Sequence, residues 1–187
     1  VHKRQENLAG AENAAGNLSE LLAVAGDLAR AESAARESIL LSRAVVVRAA
    51  DDTQRMDARR RLATNIATLA DVLHHRGALG EALAEFQKAE SEYCAASPTI
   101  RFLRGLRGYH YCDLLLSLGR FTEVRERTHA TIPIDEVARL LHANGLARVA
   151  IARSLLAEES HKSSPDYRAA GEYIDQAIAE LKLSGHL

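Results

Sequence analysis

Residues 62–96 read LATNIATLADVLHHRGALGEALAEFQKAESEYCAA, and their spacing decides the fold. Before Gly77, the side chains Ile66, Leu69, Ala70 and Leu73 fall at three- and four-residue steps and so share one helix face. After it, Leu79, Ala82, Phe86 and Ala89 do the same. The stretch therefore predicts two amphipathic helices with a tight break at Gly77. Ala70, Ala82 and Ala89 matter as much as the large residues, because antiparallel helices approach closely only where one side is small. Phe86 then fills the space beside them.

The pattern recurs along the chain. Residues 7–50 predict a helix over Asn7 to Val24 with Leu18, Leu21 and Leu22 on its apolar side. A break follows at Gly26-Asp27-Leu28, then a second helix through Ala31, Ala35, Ile39 and Leu40. Asp51 or Asp52 is a suitable N-cap for the next copy. A third copy over 98–131 is expected to open at Ser97-Pro98, run as one helix to about Leu118, and break at Gly119-Arg120-Phe121. There Tyr111, Cys112 and Leu115 take the places of Leu69, Ala70 and Leu73, while Phe121 and Val124 take those of Leu79 and Ala82, and Thr128 replaces the aromatic. A fourth copy over 133–184 is expected to open at Ile132-Pro133-Ile134-Asp135 on a long helix toward Glu159. After a linker at 161–164, Ser164-Pro165-Asp166 caps a last helix. Ile151, Ala152 and Leu155, then Tyr167, Ala170, Ile174 and Ala177, are its packing positions.

Ile66-x2-Leu69-Ala70-x2-Leu73…Ala82-x3-Phe86 resembles the tetratricopeptide pattern W-x2-L-G-x2-Y…A-x3-F. Ile66 stands for the Trp, Leu73 for the Tyr, and the family's Pro arrives late, at Pro98. The spacing from Gly26 to Gly77 also exceeds the family's usual ~34 residues. The resemblance implies an all-α superhelix, or solenoid, of about eight antiparallel helices in four pairs, approximately 7–50, 52–96, 98–131 and 133–184, within one domain over 1–187. Stretches such as YHYCDLLLSLGRF are similar to the helical-repeat regions of bacterial signal-transduction ATPases and regulators. No G-x-x-x-x-G-K-[ST] loop occurs in these residues, so the expectation is a piece of a longer protein.

Composition agrees with a helical, water-facing chain. Apolar residues make up 47% and charged residues 26%, with three Pro and no Trp, which favours helix. The formal net charge of −1 argues against a nucleic-acid binder driven by bulk charge. No apolar run approaches the ~20 residues that span a bilayer. Cys94 and Cys112 do not make a disulfide framework and are read as buried thiols in a reducing, cytoplasmic setting.

Three clusters invite chemistry. His74 and His75 are adjacent on a helix and diverge by about 100°, which does not suit a two-ligand metal site. Asp71 can hydrogen-bond to either. Tyr109-His110-Tyr111-Cys112-Asp113 gathers titratable groups, but His110 and Cys112, two apart on a helix, face away from each other. An enzyme with its site near His110 and Asp113 is the rival reading, and no cofactor is expected. Arg59-Arg60-Arg61 is read as a solvated helix face.

The resemblance supplies a different site. In the family the first helix of each pair lines a concave groove that binds a peptide or protein. Projected onto this chain, the groove carries Asn17 and Glu20, then Ala67, Asp71, His74 and His75. Next come Tyr109, His110, Asp113 and Leu116, and last Val149, Arg153 and Leu156. Glu20, Asp71 and Asp113 are equivalent positions, an acidic line ending at Arg153. Acids stand where carboxylate-clamping members of the family carry Lys, Asn and Arg. The implied partner is a basic or amphipathic segment, or another copy of the chain, with neither nucleic acid nor membrane expected. The alternative is that each acid pairs with a basic residue on the neighbouring helix. A sensor region of a larger regulator remains a further reading.

Overall fold

Each of four hinges in this chain is built the same way. In the computed structural model, which describes residues 2–185 and side chains from residue 7, the helix before Gly77 closes with Gly77 N–H donating to His74 O and Ala78 N–H to Leu73 O. Gly77 takes a positive φ of 79°, the left-handed conformation that ends helices in this paired-bond motif. Gly26 and Gly119 repeat the geometry. So does Arg139, at φ 54°, with Leu140 N–H donating to Asp135 O.

Among the described residues there are eight α-helices and no strand: α1 His2–Val24, α2 Leu28–Arg48, α3 Asp52–His75, α4 Leu79–Ala96, α5 Gly105–Ser117, α6 Phe121–Val137, α7 Leu141–Glu159 and α8 Arg168–Leu183. None of them is long and apolar enough to cross a membrane. Capping fixes several starts. Asp27 accepts from Arg30 N–H at the head of α2, and Asp51 from Gln54 N–H at 2.8 Å at the head of α3.

The chain forms two compact units, Val1–Leu103 and Arg104–Leu187. In the first, α3 is the central helix, packed on α4 and α2 and touching α1. Leu62, Ile66, Leu69, Ala70, Val72 and Leu73 are buried along it, with Ala82, Phe86 and Ala89 of α4 fully enclosed. In the second, α7 is central, packed on α8, α6 and α5. Its buried side chains are small: Ala143, Asn144, Gly145, Ala147, Ala150, Ala152 and Ser154, with Ile151 the large exception. The small residues expected at helix crossings, Ala70, Ala82, Cys112, Ala152, Ala170 and Ala177, are all buried.

Several local expectations need correction. Ser97-Pro98 does not open a helix: Ser97 closes α4, residues 97–104 are irregular, and α5 begins at Gly105. Glu90 anchors this connection by accepting Leu103 N–H at 2.9 Å. Pro133 lies inside α6 rather than opening α7. It faces outward near the helix end, where water can take the carbonyl that its missing N–H leaves. The break comes instead at Arg139. Tyr167 precedes the first turn of α8 and is exposed, while Asp166 accepts Arg168 N–H at 3.1 Å. Cys94 and Cys112 are not disulfide-bonded. Cys112 is in the core, but Cys94 lies against the irregular connection, its Sγ 3.3 Å from Arg101 O, rather than in a helix–helix contact.

The phase of α1 also differs. Leu18 and Leu21 are exposed, and Glu12, Ala15 and Ser19 face inward. Ser19 and one carboxylate oxygen of Glu12 find hydrogen-bond partners on the neighbouring helices. Ser19 Oγ donates to Ala31 O at 2.8 Å. Glu12 Oε1 accepts from Ser42 Oγ on α2 at 2.9 Å and from Asn65 Nδ2 on α3 at 3.2 Å. Gly16 leaves room for Asn65, whose Oδ1 would lie 3.0 Å from a Cβ there.

Candidate functional site

The positions projected from the repeat fall on first helices that lie side by side within each unit. In the first unit these are α1 and α3. Glu20, half-buried on α1, accepts from Thr68 Oγ1 on α3 at 3.5 Å. One turn along α3 stands Asp71. Its backbone carbonyl is 2.9 Å from His75 Nδ1, and its carboxylate is 3.6 Å from the same nitrogen. His75 is exposed and His74 half-buried, their rings tilted 5.8 Å apart. Asn17 is exposed on α1. Ala67 does not reach any open face: it is fully buried, because α3 is packed on several sides. Thr68 was missed by the projection; its place one turn from Asp71, on the face toward α1, was the available signal.

In the second unit the side-by-side first helices are α5 and α7. Arg153 of α7 reaches Asp113 of α5 at 2.5 Å and donates to Tyr109 Oη at 3.3 Å. Burial works against the charge on Arg153, yet Asp113 and Tyr109 outweigh it and hold the guanidinium above its ordinary value. The expected neighbours Tyr109, Asp113 and Arg153 are thus brought together. His110 packs beside Tyr109, with ring centroids 6.1 Å apart. Leu116 and Val149 are half-buried, and Leu156 is exposed. Here the acid has a basic partner on the neighbouring helix, so Asp113 contributes a neutralised pair instead of an open negative charge. Cys112 is buried in the core, away from the half-exposed Asp113.

The remaining clusters have structural partners. Arg59 lies 4.0 Å from Glu92. Arg60 holds Asp57 at 2.7 Å and donates to Ser97 Oγ and Ala96 O. Arg61 approaches Glu12 at 3.6 Å. The basic run thus ties α3 to its own unit. Among the described residues, no three His, Cys, Asp or Glu side chains are grouped as metal ligands would be.

Sequence reasoning also missed the ion pairs that hold the second unit. Buried Asp135 of α6 is gripped by Arg104, with Nε at 2.6 Å. Burial raises its carboxyl above the ordinary value against the pull of Arg104. Arg148 of α7 bridges Glu136 of α6 and Glu180 of α8, both at 2.9 Å. Arg125 of α6 reaches Glu158 of α7 at 2.8 Å. Arg127 stacks 4.0 Å from the ring centre of buried Tyr111. No family model, no curated protein and no solved structure matches this chain.

Proposed function

We propose that this chain is a tetratricopeptide-like binding module whose side-by-side first helices present a surface to a peptide or protein. The observation that carries the reading is the pairing of repeated hinges with small buried residues at the crossings, in both units. Helix pairs of that kind cannot enclose their apolar faces alone and gain by stacking. In this reading the four pairs act as a solenoid, and Glu20, Asp71 and His75 form the more acidic part of the surface, with buried Thr68 bonded to Glu20 beneath it. Tyr109, Asp113, Leu116 and Arg153 form a mixed part, with an aromatic ring beside a neutralised ion pair. The favoured partner is a basic or amphipathic segment for the first unit's face, drawn in faster at low salt. A reducing compartment suits the two thiols.

Selection of a displayed random-peptide library on the purified chain tests the proposal. Enriched peptides should be basic, and their affinity should fall several-fold on Glu20→Gln with Asp71→Asn. Sequences enriched without basic residues, or affinities unmoved by the double substitution, would remove this surface from consideration.

A further inference from the structure

The outward face of α1 is apolar and open to solvent. Among the described residues, α1 packs on α2 and α3 alone, and Leu18 is left 48% exposed, Leu21 68% and Val24 90%. From Asn7 to Ala25 the only charged residues are Glu12, which is buried, and Glu20, which is half-buried and bonded to Thr68. The exposed side of the helix therefore carries no charge along that length. A helix surface left to water is ordinarily charged or polar, and a continuous apolar strip marks a contact surface. This strip is ordered along the chain. Asn7, Ala11, Ala14, Leu18, Leu21 and Ala25 are exposed at alternating steps of four and three residues, the spacing of a two-helix seam. The steps read the same from either end, so the strip matches itself when a second α1 runs antiparallel to the first.

We propose that α1 pairs antiparallel with α1 of a second copy of this chain, in a two-fold contact centred between Ala14 and Leu18. Such a contact uses the same patch on both copies and closes on itself. Size decides the fit. Ala14 of one copy meets Leu18 of the other, Ala11 meets Leu21, and Asn7 meets Ala25. Each leucine faces an alanine, which is the condition for close approach of two helices. A parallel pair would set Leu18 against Leu18 and leave gaps between the alanines. The missing charge selects an equally neutral partner face, since a basic segment or a nucleic acid finds no acid or base to engage here. Ten exposed residues lie on this length of α1, against the ~20–30 a side of a standard stable interface. The dimer is therefore a weak one that forms at high concentration. The proposal does not rest on the peptide-binding reading, which uses Glu20 and residues of α3 rather than this strip.

Sedimentation equilibrium of the full chain, from about 10 µM to about 1 mM, tests it. A monomer–dimer equilibrium should appear in that range. In a sample that mixes labelled and unlabelled chains, methyl contacts between copies should join Ala14 to Leu18 and Ala11 to Leu21. Ala14→Glu should leave circular dichroism unchanged, because the position is exposed, and should abolish the dimer. Ala14→Leu adds apolar surface but removes the small partner of Leu18, so it should weaken pairing about tenfold through overpacking. Tighter pairing of Ala14→Leu would mean unspecific apolar association and overturns the proposal. So do contacts from Leu18 to Leu18, a chain that stays monomeric at the highest concentration, or a dimer that Ala14→Glu leaves intact. Recruitment of the chain to phosphatidylcholine vesicles, lost in Ala14→Glu, would assign the strip to a lipid surface and overturns it as well.

Discussion

The two units reach similar local architectures by different means. Around α3, the first unit encloses large apolar side chains and one polar cluster shared by α1, α2 and α3. In the second unit the buried residues of α7 itself are mostly small, the large apolar side chains come from its neighbours, Tyr111, Leu114 and Leu115 of α5 and Val124 and Ile132 of α6, and arginines bridge from helix to helix: Arg104 to Asp135, Arg125 to Glu158, Arg148 to Glu136 and Glu180, and Arg153 to Asp113. Small residues bring helix axes close but bury little area per side chain. Long arginines then cover the flanks with their stems while their heads find acids. A central helix needs close neighbours on several sides: α3 brings its own large side chains to them, and α7 receives theirs.

The comparison breaks most sharply at the centre of each core. Phe86→Ala should cost about 4 kcal/mol in the first unit, since the ring is fully enclosed. Asp135→Ala should cost about 3 kcal/mol in the second, because it leaves the largely buried Arg104 without its acid. Chemical denaturation followed by residue-resolved hydrogen exchange checks both, with each loss confined to its own unit. A loss spread equally over both would show that they do not unfold separately.

Next comes the close crossing of α7 and α8. A Cβ on Gly145 would lie 2.7 Å from Leu181 Cγ. Gly145→Ala should therefore destabilise the second unit by about 1–3 kcal/mol through overpacking, despite alanine's better helix propensity. A rise in melting temperature for this variant would mean that α8 shifts without penalty.

The hinges sharpen the contrast on a smaller scale. Arg139 holds a left-handed conformation that glycine holds at the matching hinges. Arg139→Gly should stabilise the second unit by about 1 kcal/mol, and Gly77→Ala should destabilise the first by about 1 kcal/mol, since nothing crowds a Cβ there and only the backbone preference acts. Differential scanning calorimetry reads both signs. The smallest effect belongs to Asp166, whose carboxyl is held down to about 2 by Arg168, through its side chain first and then its backbone N–H. Because that value lies below the ordinary 3.8, the contribution to α8 is present above pH 3.8 and is lost as pH falls through about 2. Carbon-detected titration of Asp166 should give that midpoint, and Arg168→Ala should move it upward.

Legibility in the sequence followed the same division. Hinges marked by glycine, at 26, 77 and 119, were readable, as were the small residues at the crossings, because both rest on local backbone preference and helical period. The fourth hinge was hidden: Arg139-Leu140-Leu141 matches Gly77-Ala78-Leu79 in geometry but lacks the glycine, and the nearby Pro133 suggested a helix start instead. The phase of α1 was misread because Leu18 and Leu21 form a better apolar stripe than Glu12, Ala15 and Ser19. What turns the helix the other way is the set of partners waiting on α2 and α3, which periodicity within α1 does not contain. Of the candidate surface, the pairing of Asp113 with Arg153 was one of two alternatives that the sequence left open, whereas the burial of Ala67 depended on how many helices α3 touches.

Glu12 carries one more consequence, for how α1 finds its place. Its carboxylate oxygen is satisfied only when Ser42 and Asn65 arrive from two other helices at once. Sliding α1 by a single turn, about 5.4 Å, would leave Glu12 with neither partner in an enclosed site. Partly docked arrangements are thus penalised more than an alanine-rich face alone would penalise them. A helix whose inward residues are otherwise small and interchangeable acquires a single defined register, and its attachment becomes close to all-or-none.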